Sequence, residues 1–541
     1  MKRLNLILLS LFTGLLLSLA WPASGFPGLL FIALVPLLVV ENHFYSNRLH
    51  NSGWALTPYA FLAFFVWNLL TTWWIVNATV VGGVVAVVLN SVFMTGIFLL
   101  FHATHRIVHK PHQAWAALIF YWISFEYIHH HWDLNWPWLS LGNGFSSRVT
   151  WIQFYEYTGI FGGSLWVLMS NILLFKIVKL VREKELHRRI WLNVSLLLIL
   201  IALPLLVSKF IYRSIETTNG DPVEVVVVQP NIDPYLEQYI LPPLTVVDRI
   251  WSLAEQKTTP NTAFIVAPES AIQEYVWKDH INYTPSVLVF REHLRTFPRA
   301  QLVVGISARD TYAPDEEIPH TARKFRDTDI YYDRFNVAMI LDTSRHFQLY
   351  NKSKLTPGVE MMPLSRWIRP IENLALDLGG TIGSLGTDPE RIPFTTAHGI
   401  KVGTAICYES VFGEFMTGYV HHGANMIFVI TNDGWWGDTP GHRQHLQFSS
   451  LRAIELRRAI ARSANTGISC FVNKRGDILQ PTQYWEQDVI RDKMFPNDEI
   501  TFYVRHGDYI ARVSAFGAVM MLLITIMLKL RNNTRAKRPL S

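Results

Sequence analysis

The sequence predicts a polytopic α-helical membrane protein of about eight spans that carries one large external α/β domain. Three observations support this prediction. Of the 541 residues, 50% are hydrophobic and only 17% are charged, whereas a soluble chain usually has about 25% charged residues. Apolar runs of about 20 residues, enough to cross a bilayer core of ~30 Å, lie at the two ends of the chain. The polar stretch between them alternates strand-like and helix-like segments.

Seven apolar runs precede residue 213, and one follows the polar stretch. They cover about residues 4–21, 25–41, 54–76, 78–101, 114–130, 159–180, 190–211 and 510–530. The first run has the basic start of a signal peptide, but its apolar part is longer than the roughly 7–15 residues usual there, so we expect it to be retained. The sequence therefore predicts a seven-helix membrane domain in residues 1–212, with an eighth helix and a basic tail in residues 509–541.

Charge is distributed unevenly along the chain. The total of +6 consists of +7 in residues 1–212, −7 in residues 213–508 and +6 in residues 509–541. The basic residues flank alternate apolar runs, so the positive-inside rule places both termini in the cytoplasm and residues 213–508 outside. This distribution argues against nucleic acid as a partner, since a nucleic-acid-binding protein concentrates its basic residues on one folded face. The presence of only two cysteines argues against a disulfide-rich secreted domain.

Residues 213–508 have the pattern of a layered α/β domain. The predicted strands are 223–229, 263–267, 301–307, 336–341, 402–407, 426–431 and 467–472, and the predicted helices are about 244–257, 286–297, 411–422 and 443–459. The first strand reads VEVVVVQ and is nearly continuous in apolar residues, as a strand buried on both faces would be. No glycine-rich phosphate-binding motif follows a strand, so nucleotide binding has no support.

Three side chains with reactive groups follow strand-like runs, where α/β folds usually place their sites. Cys407 ends one run just before a helical stretch, where backbone amides and a cationic neighbour would favour a thiolate; a lone cysteine is also often a buried structural residue. Glu269 follows another run, either as a general base or as a solvated turn residue. Lys352 lies beside a third apolar segment, either as an oxyanion stabiliser or as a solvated charge. Spacing alone leaves both interpretations open for each residue.

Taken in order, Glu269, Lys352 and Cys407 resemble the Glu-Lys-Cys triad of the nitrilase superfamily. Together with the predicted spans, they resemble the apolipoprotein N-acyltransferase family of bacterial lipoprotein maturation, and this resemblance implies an αββα sandwich for the external domain. The strings that carry the resemblance are Asn135–Gly142, Gln153, Gly159–Asn171, Gln229–Ile232, Ala267–Glu269, Tyr350–Lys352, Ile406–Glu409, Thr431–Asp438, His445–Gln447, Arg452–Glu455 and Asn465–Ile468.

The resemblance implies two acyl transfers through one cysteine, without a metal or cofactor. Cys407 would take an acyl chain from a phospholipid as a thioester, and the α-amino group of a diacylglyceryl-cysteine apolipoprotein would accept it. Glu269 would act as the base, and Lys352 would stabilise the oxyanion. The expected location is the bacterial inner membrane, with residues 213–508 as a periplasmic catalytic domain. The expected partners are the phospholipid, the apolipoprotein and the bilayer, and the expected state is a monomer.

Further residues match supporting positions of the family. They are Glu360, Glu409, Tyr408, Tyr239 and Trp435. The two glutamates would orient Lys352 or the amine; Glu360 keeps the family spacing from the lysine, although the residues before it differ. Tyr239 is the nearest aromatic residue to a family tryptophan that is missing here. Trp435 and Trp436 would line the acyl entrance, or they are ordinary core aromatic residues.

Other features carry weaker expectations. Residues 360–369 read EMMPLSRWIR and form either a loop that enters the lipid headgroups or an ordinary surface loop. His102, His105, His109 and His112 lie beside basic residues and are expected to be interfacial polar residues rather than metal ligands. Cys470 is expected to be buried in the core.

Two alternative functions remain open on the sequence. A membrane-anchored nitrilase-type amidase would use the same triad with water as the second nucleophile, but it would give no reason for eight spans. A transporter with an external binding domain would be expected to contain internal repeats, and none is visible.

Overall fold

A computed structural model describes residues 1–108, 110–325, 327–361, 384–396 and 399–536. The chain divides into two compact units. The first comprises residues 1–76, 80–212 and 508–541, and the second comprises residues 77–79 and 213–507. The first unit is helical, and the second contains both strands and helices.

Each helix of the first unit overlaps one of the predicted apolar runs. They are α1 (Arg3–Leu19), α2 (Val35–Ser46), α3 (Thr57–Thr72), α4 (Val80–Ile107), α5 (Pro111–Ile128), α6 (Tyr155–Arg182), α7 (His187–Ser214) and the C-terminal helix Tyr509–Ala536. Within the described residues, six helical segments are long and apolar enough to cross a membrane: Pro27–Ser46, Gly53–Asn77, Val80–Ile107, Tyr155–Arg182, His187–Ser214 and Tyr509–Thr534. The structure therefore supports six candidate spans, two fewer than the sequence predicts.

A buried polar cluster joins α2 to α4. Glu41 accepts hydrogen bonds from Nδ1 of His102 at 2.7 Å and from Nδ1 of His105 at 3.0 Å, and all three side chains are buried. These two histidines therefore have a buried carboxylate partner on a different helix, which the local sequence pattern could not show. His112 is exposed, and His109 lies outside the described residues.

Two further buried polar groups find partners between elements of this unit. Pro204 lies inside α7 and has no backbone N–H, so it cannot make the helical hydrogen bond to the carbonyl of Leu200. The indole N–H of Trp166 on α6 donates to that carbonyl at 2.7 Å. Glu126 on α5 accepts the backbone N–H of Leu141 at 2.8 Å and so holds the loop after α5. Such bonds matter in an apolar bundle, where water does not satisfy polar groups.

The described part of the second unit contains fourteen strands. They are β1 (Val223–Gln229), β2 (Thr262–Val266), β3 (Ile272–Trp277), β4 (Gln301–Thr311), β5 (Arg323–Lys324), β6 (Tyr331–Leu341), β7 (Phe347–Asn351), β8 (Phe394–Thr395), β9 (Lys401–Ile406), β10 (Met426–Thr431), β11 (Ile460–Ala464), β12 (Cys470–Val472), β13 (Ile478–Leu479) and β14 (Asp488–Met494). The helices described in this unit are α8 (Pro243–Lys257), α9 (Pro285–Leu294), α10 (Gly413–His421), α11 (Pro440–Leu456) and α12 (Phe502–His506).

The strands form two sheets that pack against each other. One sheet has the order β14-β1-β2-β4-β6-β5, with β3 beside β4 and β7 beside β6, and the other has the order β13-β12-β11-β10-β9-β8. Val225 and Val227 of β1 belong to the hydrophobic cluster that also contains residues of the second sheet, while Val226 and Val228 belong to the cluster under α8 and α9. Because side chains alternate along a strand and both faces of β1 are covered, its central residues 225–228 are all valine.

The sandwich also fixes the surroundings of the two cysteines. Cys470 lies in β12 and is fully buried, which confirms the prediction for this residue. Both Cys407 and Cys470 are free thiols.

Candidate active site

The three predicted catalytic residues follow the ends of three strands. Glu269 comes after β2, Lys352 directly after β7 and Cys407 directly after β9. The ammonium of Lys352, which is 1% exposed, lies 3.0 Å from Oε1 of Glu269. The charges of both residues act on the Cys407 thiol. The fold therefore places an acid–base group, a cation and a thiol in one neighbourhood.

A second carboxylate shares the ammonium of Lys352. Oε1 of Glu360 lies 2.8 Å from Nζ. Burial alone would lower the pKa of Lys352, but the charges of Glu269 and Glu360 outweigh it and hold that pKa well above its usual range. Burial alone would raise the pKa of Glu360, but the positive charge of Lys352 holds that pKa below its usual value. Lys352 therefore stays positively charged at neutral pH.

Asn336 on β6 connects the two carboxylates, and the sequence interpretation did not include it. Its Nδ2 donates to Oε1 of Glu269 at 2.8 Å and to Oε1 of Glu360 at 3.0 Å. Its backbone carbonyl also accepts the N–H of Lys352 at 2.8 Å. The sequence signal that could have pointed to Asn336 is its amide side chain at the first position of the apolar strand predicted at 336–341. Because it touches all three charged residues, Asn336 fixes their relative positions.

Cys407 has an unusual backbone conformation. It begins the short 3-10 turn Cys407–Val411 with φ at +51°. This left-handed conformation costs a non-glycine residue about 1–2 kcal/mol and occurs preferentially at functional sites. Burial raises the pKa of the thiol, and the charge of Glu269 raises it further against the opposing effect of Lys352. The resting thiol is therefore protonated, and a base would be required to form the thiolate.

Glu409 is fully buried and contacts backbone rather than the lysine ammonium. Its Oε1 accepts the N–H of Ser353 at 2.6 Å and the hydroxyl of Tyr350 at 2.7 Å, and its Oε2 accepts the N–H of Ile406 at 2.8 Å. Burial raises the pKa of Glu409 to about 7, although these donors oppose the shift. Glu409 thus ties the loop that carries Lys352 to the end of β9.

The three aromatic candidates differ in exposure. Tyr408 is buried, whereas Tyr239 is 64% exposed. Desolvation of the Tyr239 hydroxyl and the charge of Glu269 raise the pKa of Tyr239. Trp435 is half-buried and packs edge-on against Tyr235, with 5.2 Å between ring centroids. Tyr408 therefore belongs to the packing of the site, while Tyr239 and Trp435 keep accessible aromatic surface.

A second polar cluster, Asp433, His445 and Arg462, is fully buried and was not predicted. Ligand-type atoms of Cys407, Asp433 and His445 lie within 4.8 Å of one another. However, Asp433 accepts a hydrogen bond from Arg462 at 2.5 Å, and Nδ1 of His445 lies 2.9 Å from Oδ1 of Asp433 and 3.1 Å from Nη2 of Arg462. Burial would raise the pKa of Asp433, but the Arg462 charge holds it far below its usual range. A metal cation would lie beside the positive charge of this guanidinium, and the ligand atoms of Asp433 and His445 already have hydrogen-bonding partners. The cluster therefore suits a hydrogen-bond network and not a metal site.

Comparison with known proteins identifies two families of domain in the chain. Residues 13–173 match the apolipoprotein N-acyltransferase N-terminal domain, and residues 224–494 match the carbon-nitrogen hydrolase domain. The second match covers the α/β unit and includes Glu269, Lys352 and Cys407.

Similar proteins extend over nearly the whole chain. A protein of Chlorobaculum tepidum named apolipoprotein N-acyltransferase is 30% identical over 537 residues, which cover 96% of each chain. A protein of Geobacter metallireducens with the same name is 24% identical over 537 residues, covering 96% of this chain and 95% of its own. Among solved structures, Saccharomyces cerevisiae Nit3, a member of branch 10 of the nitrilase superfamily, matches 51% of this chain and 91% of its own with 17% identity and a TM-score of 0.35. On the full-length similarity, the chain belongs to the apolipoprotein N-acyltransferase family.

Proposed function

We propose that this protein transfers an acyl chain from a membrane phospholipid to the α-amino group of the N-terminal diacylglyceryl-cysteine of apolipoproteins. The observation that carries the proposal is the Glu269–Lys352 contact beside a strained Cys407, in a chain whose full-length relatives are named for N-acyl transfer. The reaction proceeds in two half-reactions through a thioester on Cys407.

In the first half-reaction, Glu269 removes the thiol proton and the sulfur of Cys407 attacks the ester carbonyl carbon of the phospholipid. The carbonyl electrons move onto oxygen, where Lys352 stabilises the negative charge; one donor of this kind contributes about 3–4 kcal/mol. Collapse of the tetrahedral intermediate breaks the ester C–O bond. Glu269 returns its proton to the leaving alkoxide, so the products are the thioester and a lysophospholipid.

In the second half-reaction, the neutral α-amino group attacks the thioester carbonyl. Glu269 accepts a proton from the nitrogen, and Lys352 again stabilises the oxyanion. Collapse breaks the C–S bond, and Glu269 returns the proton to the Cys407 sulfur. The product is an amide and the free thiol is restored, so one base and one cation serve both steps and water takes no part.

The residues around the triad support this cycle. Glu269 alternates between its charged and protonated forms, which would leave Lys352 without a counter-charge if Glu269 were its only partner. Glu360 supplies a second carboxylate at 2.8 Å, so the lysine stays paired through the cycle. Asn336 holds both carboxylates in place, and Glu409 holds the loop of the lysine.

The membrane arrangement that fits this chemistry is multi-pass. We assign residues 1–212 to a domain of seven spans, residues 213–508 to a periplasmic catalytic domain and residues 509–541 to an eighth span with a cytoplasmic tail. The loop charges support this orientation, which places the site beside the outer leaflet of the bacterial inner membrane. A monomer suffices, because the charged residues of the site all come from one chain.

The accessible aromatic residues suggest a route for the lipid. Tyr239 and Trp435 would line the entrance for the acyl chain, where aromatic rings suit a boundary between apolar and polar surroundings. The predicted headgroup loop would contribute to the same entrance, but residues 362–369 of that loop lie outside the described residues. The amidase alternative is not favoured, since the relatives that match nearly the whole chain are named for N-acyl transfer.

The test is acyl labelling of the purified protein in proteoliposomes. With phospholipid carrying a radiolabelled acyl chain, the wild-type protein should acquire label through a hydroxylamine-sensitive bond. Cys407→Ser should lose this thioester, and Cys470→Ser should keep it because that thiol is buried in the core. No adduct, together with hydrolysis of small amides, would support the amidase instead.

A further inference from the structure

Two buried side chains hold the carbonyl oxygen of Cys407. The hydroxyl of Ser410 donates to this oxygen at 2.7 Å. Nε2 of His445 lies 3.2 Å from the same oxygen and 3.0 Å from Oγ of Ser410. Ser410 belongs to the turn that follows the cysteine, but His445 comes from α11, 38 residues further along the chain. A long-range contact therefore reaches the backbone of Cys407.

The imidazole of His445 is also held at its other ring nitrogen, Nδ1. Its Nε2 faces a carbonyl oxygen, which only accepts hydrogen bonds, so Nε2 carries the hydrogen of the neutral ring. Its Nδ1 lies 3.1 Å from Nη2 of Arg462, which donates to it, and 2.9 Å from Oδ1 of Asp433. Oδ1 accepts the hydroxyl of Thr431 at 2.7 Å, and Oδ2 accepts Arg462 at 2.5 Å. The network thus runs from β11 through the end of β10 to α11, and it ends at the carbonyl of Cys407.

Holding this carbonyl fixes more than one atom. A peptide group is planar, so the contact with the oxygen sets the orientation of the whole peptide between residues 407 and 408. Cys407 has φ at +51°, which a cysteine does not adopt by its own preference. The carbonyl carbon of Cys407 is one of the four atoms that define φ, so releasing the carbonyl group would let φ relax and the thiol move relative to Glu269 and Lys352.

We propose that His445 is a positioning residue, which holds Cys407 in the left-handed conformation from which its sulfur attacks. Asp433 and Arg462 hold His445 in turn. The inference rests on the proposed function only in that Cys407 is the nucleophile. The network then keeps the sulfur in place through both half-reactions, while the acyl group arrives and leaves.

The experiment compares His445→Ala with His445→Gln, whose amide N–H can still reach the carbonyl. Arg443→Ala is the matched control, because Arg443 lies on the same helix but is 56% exposed. Single-turnover formation of the acyl-enzyme is followed with labelled phospholipid. A displacement of about 1 Å can cost about 100-fold in rate, so we expect His445→Ala to form the acyl-enzyme about 100-fold more slowly than wild type. The phospholipid concentration that gives half the maximal rate should stay within about threefold of wild type. His445→Gln should form the acyl-enzyme about tenfold faster than His445→Ala.

A structural role alone would give a different pattern. It would lower the unfolding midpoint of the alanine and glutamine variants alike and leave the acylation rate of the folded fraction unchanged, and this result would overturn the proposal. If His445→Ala does not fold, Ser410→Ala removes the other contact with the same oxygen and should slow acylation about tenfold. A Ser410→Ala rate within about twofold of wild type, a difference worth less than about 0.5 kcal/mol, would also overturn it.

A separate measurement distinguishes this proposal from the proposed function. Alkylation of Cys407 by iodoacetamide, quantified on the cysteine peptide by mass spectrometry, needs no lipid substrate. If wild-type protein forms no acyl-enzyme, the acyltransferase proposal fails, but alkylation should still be about tenfold slower in His445→Ala than in wild type, because the thiol has left its base. Equal alkylation rates would overturn the positioning role.

Discussion

Replacing Lys352 with methionine should destabilise the α/β unit, because it leaves two buried carboxylates without their cation. The ammonium of Lys352 lies 3.0 Å from Glu269 and 2.8 Å from Glu360, and the lysine side chain is 1% exposed. Removing one partner of a buried ion pair costs about 3–5 kcal/mol. Each kcal/mol lowers the unfolding midpoint of a large domain by about 2–4 °C, so we expect Lys352→Met to lower it by roughly 10 °C.

A second substitution isolates the electrostatic cause. In Lys352→Met, the oxygens of Glu269 and Glu360 that bind the same Nδ2 of Asn336 would repel each other if both were ionised. Adding Glu360→Gln removes that repulsion, so the double variant should unfold at a higher temperature than Lys352→Met alone. The assay is thermal unfolding of the detergent-purified protein at neutral pH, followed by tryptophan fluorescence.

The matched control for this prediction is Lys324→Met. Lys324 pairs with Asp329 at 2.9 Å, but this pair is exposed, and exposed pairs contribute little to stability. The electrostatic reasoning is refuted if Lys352→Met unfolds within about 2 °C of this control. It is also refuted if Glu360→Gln lowers the midpoint of Lys352→Met further.

Three other predictions follow from single contacts. Asn336→Ala should slow single-turnover acylation by about tenfold or more without weakening phospholipid binding, because a 1 Å shift of the charged groups costs rate; an unchanged rate would contradict this. Burial raises the pKa of Glu409 from 4.5 to about 7, so the folded protein binds this proton more tightly than the unfolded protein does. The resulting stability is present below pH 4.5 and is lost as the pH rises through 7. The wild type should therefore lose up to about 3 kcal/mol between pH 4.5 and 8 that Glu409→Gln does not lose, and parallel unfolding profiles would refute it. Trp166→Phe should cost about 1–3 kcal/mol, because the Leu200 carbonyl loses its donor, and adding Pro204→Ala should restore stability by supplying a backbone N–H; no recovery would count against this explanation.

The strands show what the sequence can and cannot predict. β1 and β10 were predicted with their observed bounds, because both are nearly continuous apolar runs whose residues are mostly buried. β11 was not predicted, since its central residue is Arg462, a charge that becomes compatible with burial only beside Asp433 in the folded chain. β14 reads DVIRDKM and pairs with β1 at the end of the sheet formed by the described strands. As an edge strand with exposed positions, it has no continuous apolar pattern.

The same distinction applies to the site. Glu269, Lys352 and Cys407 each follow a predicted or apolar segment, so their order and position could be inferred locally. Asn336 and His445 could not be inferred in this way, because each acts through partners that are distant in the sequence. A hydrogen bond across 67 or 38 positions leaves no periodic signal, so these residues become visible only in the folded structure.

The most direct test of the central claim is a chase of the isolated acyl-enzyme. Protein labelled with a radioactive acyl chain is separated from phospholipid and mixed with a synthetic diacylglyceryl-cysteine peptide. We expect the label to leave the protein and appear in an amide at the peptide α-amino group, with equal rates of loss and gain. A peptide whose α-amino group is acetylated should leave the label on the protein. Release of the label as free fatty acid, or equal transfer with the acetylated peptide, would contradict the account.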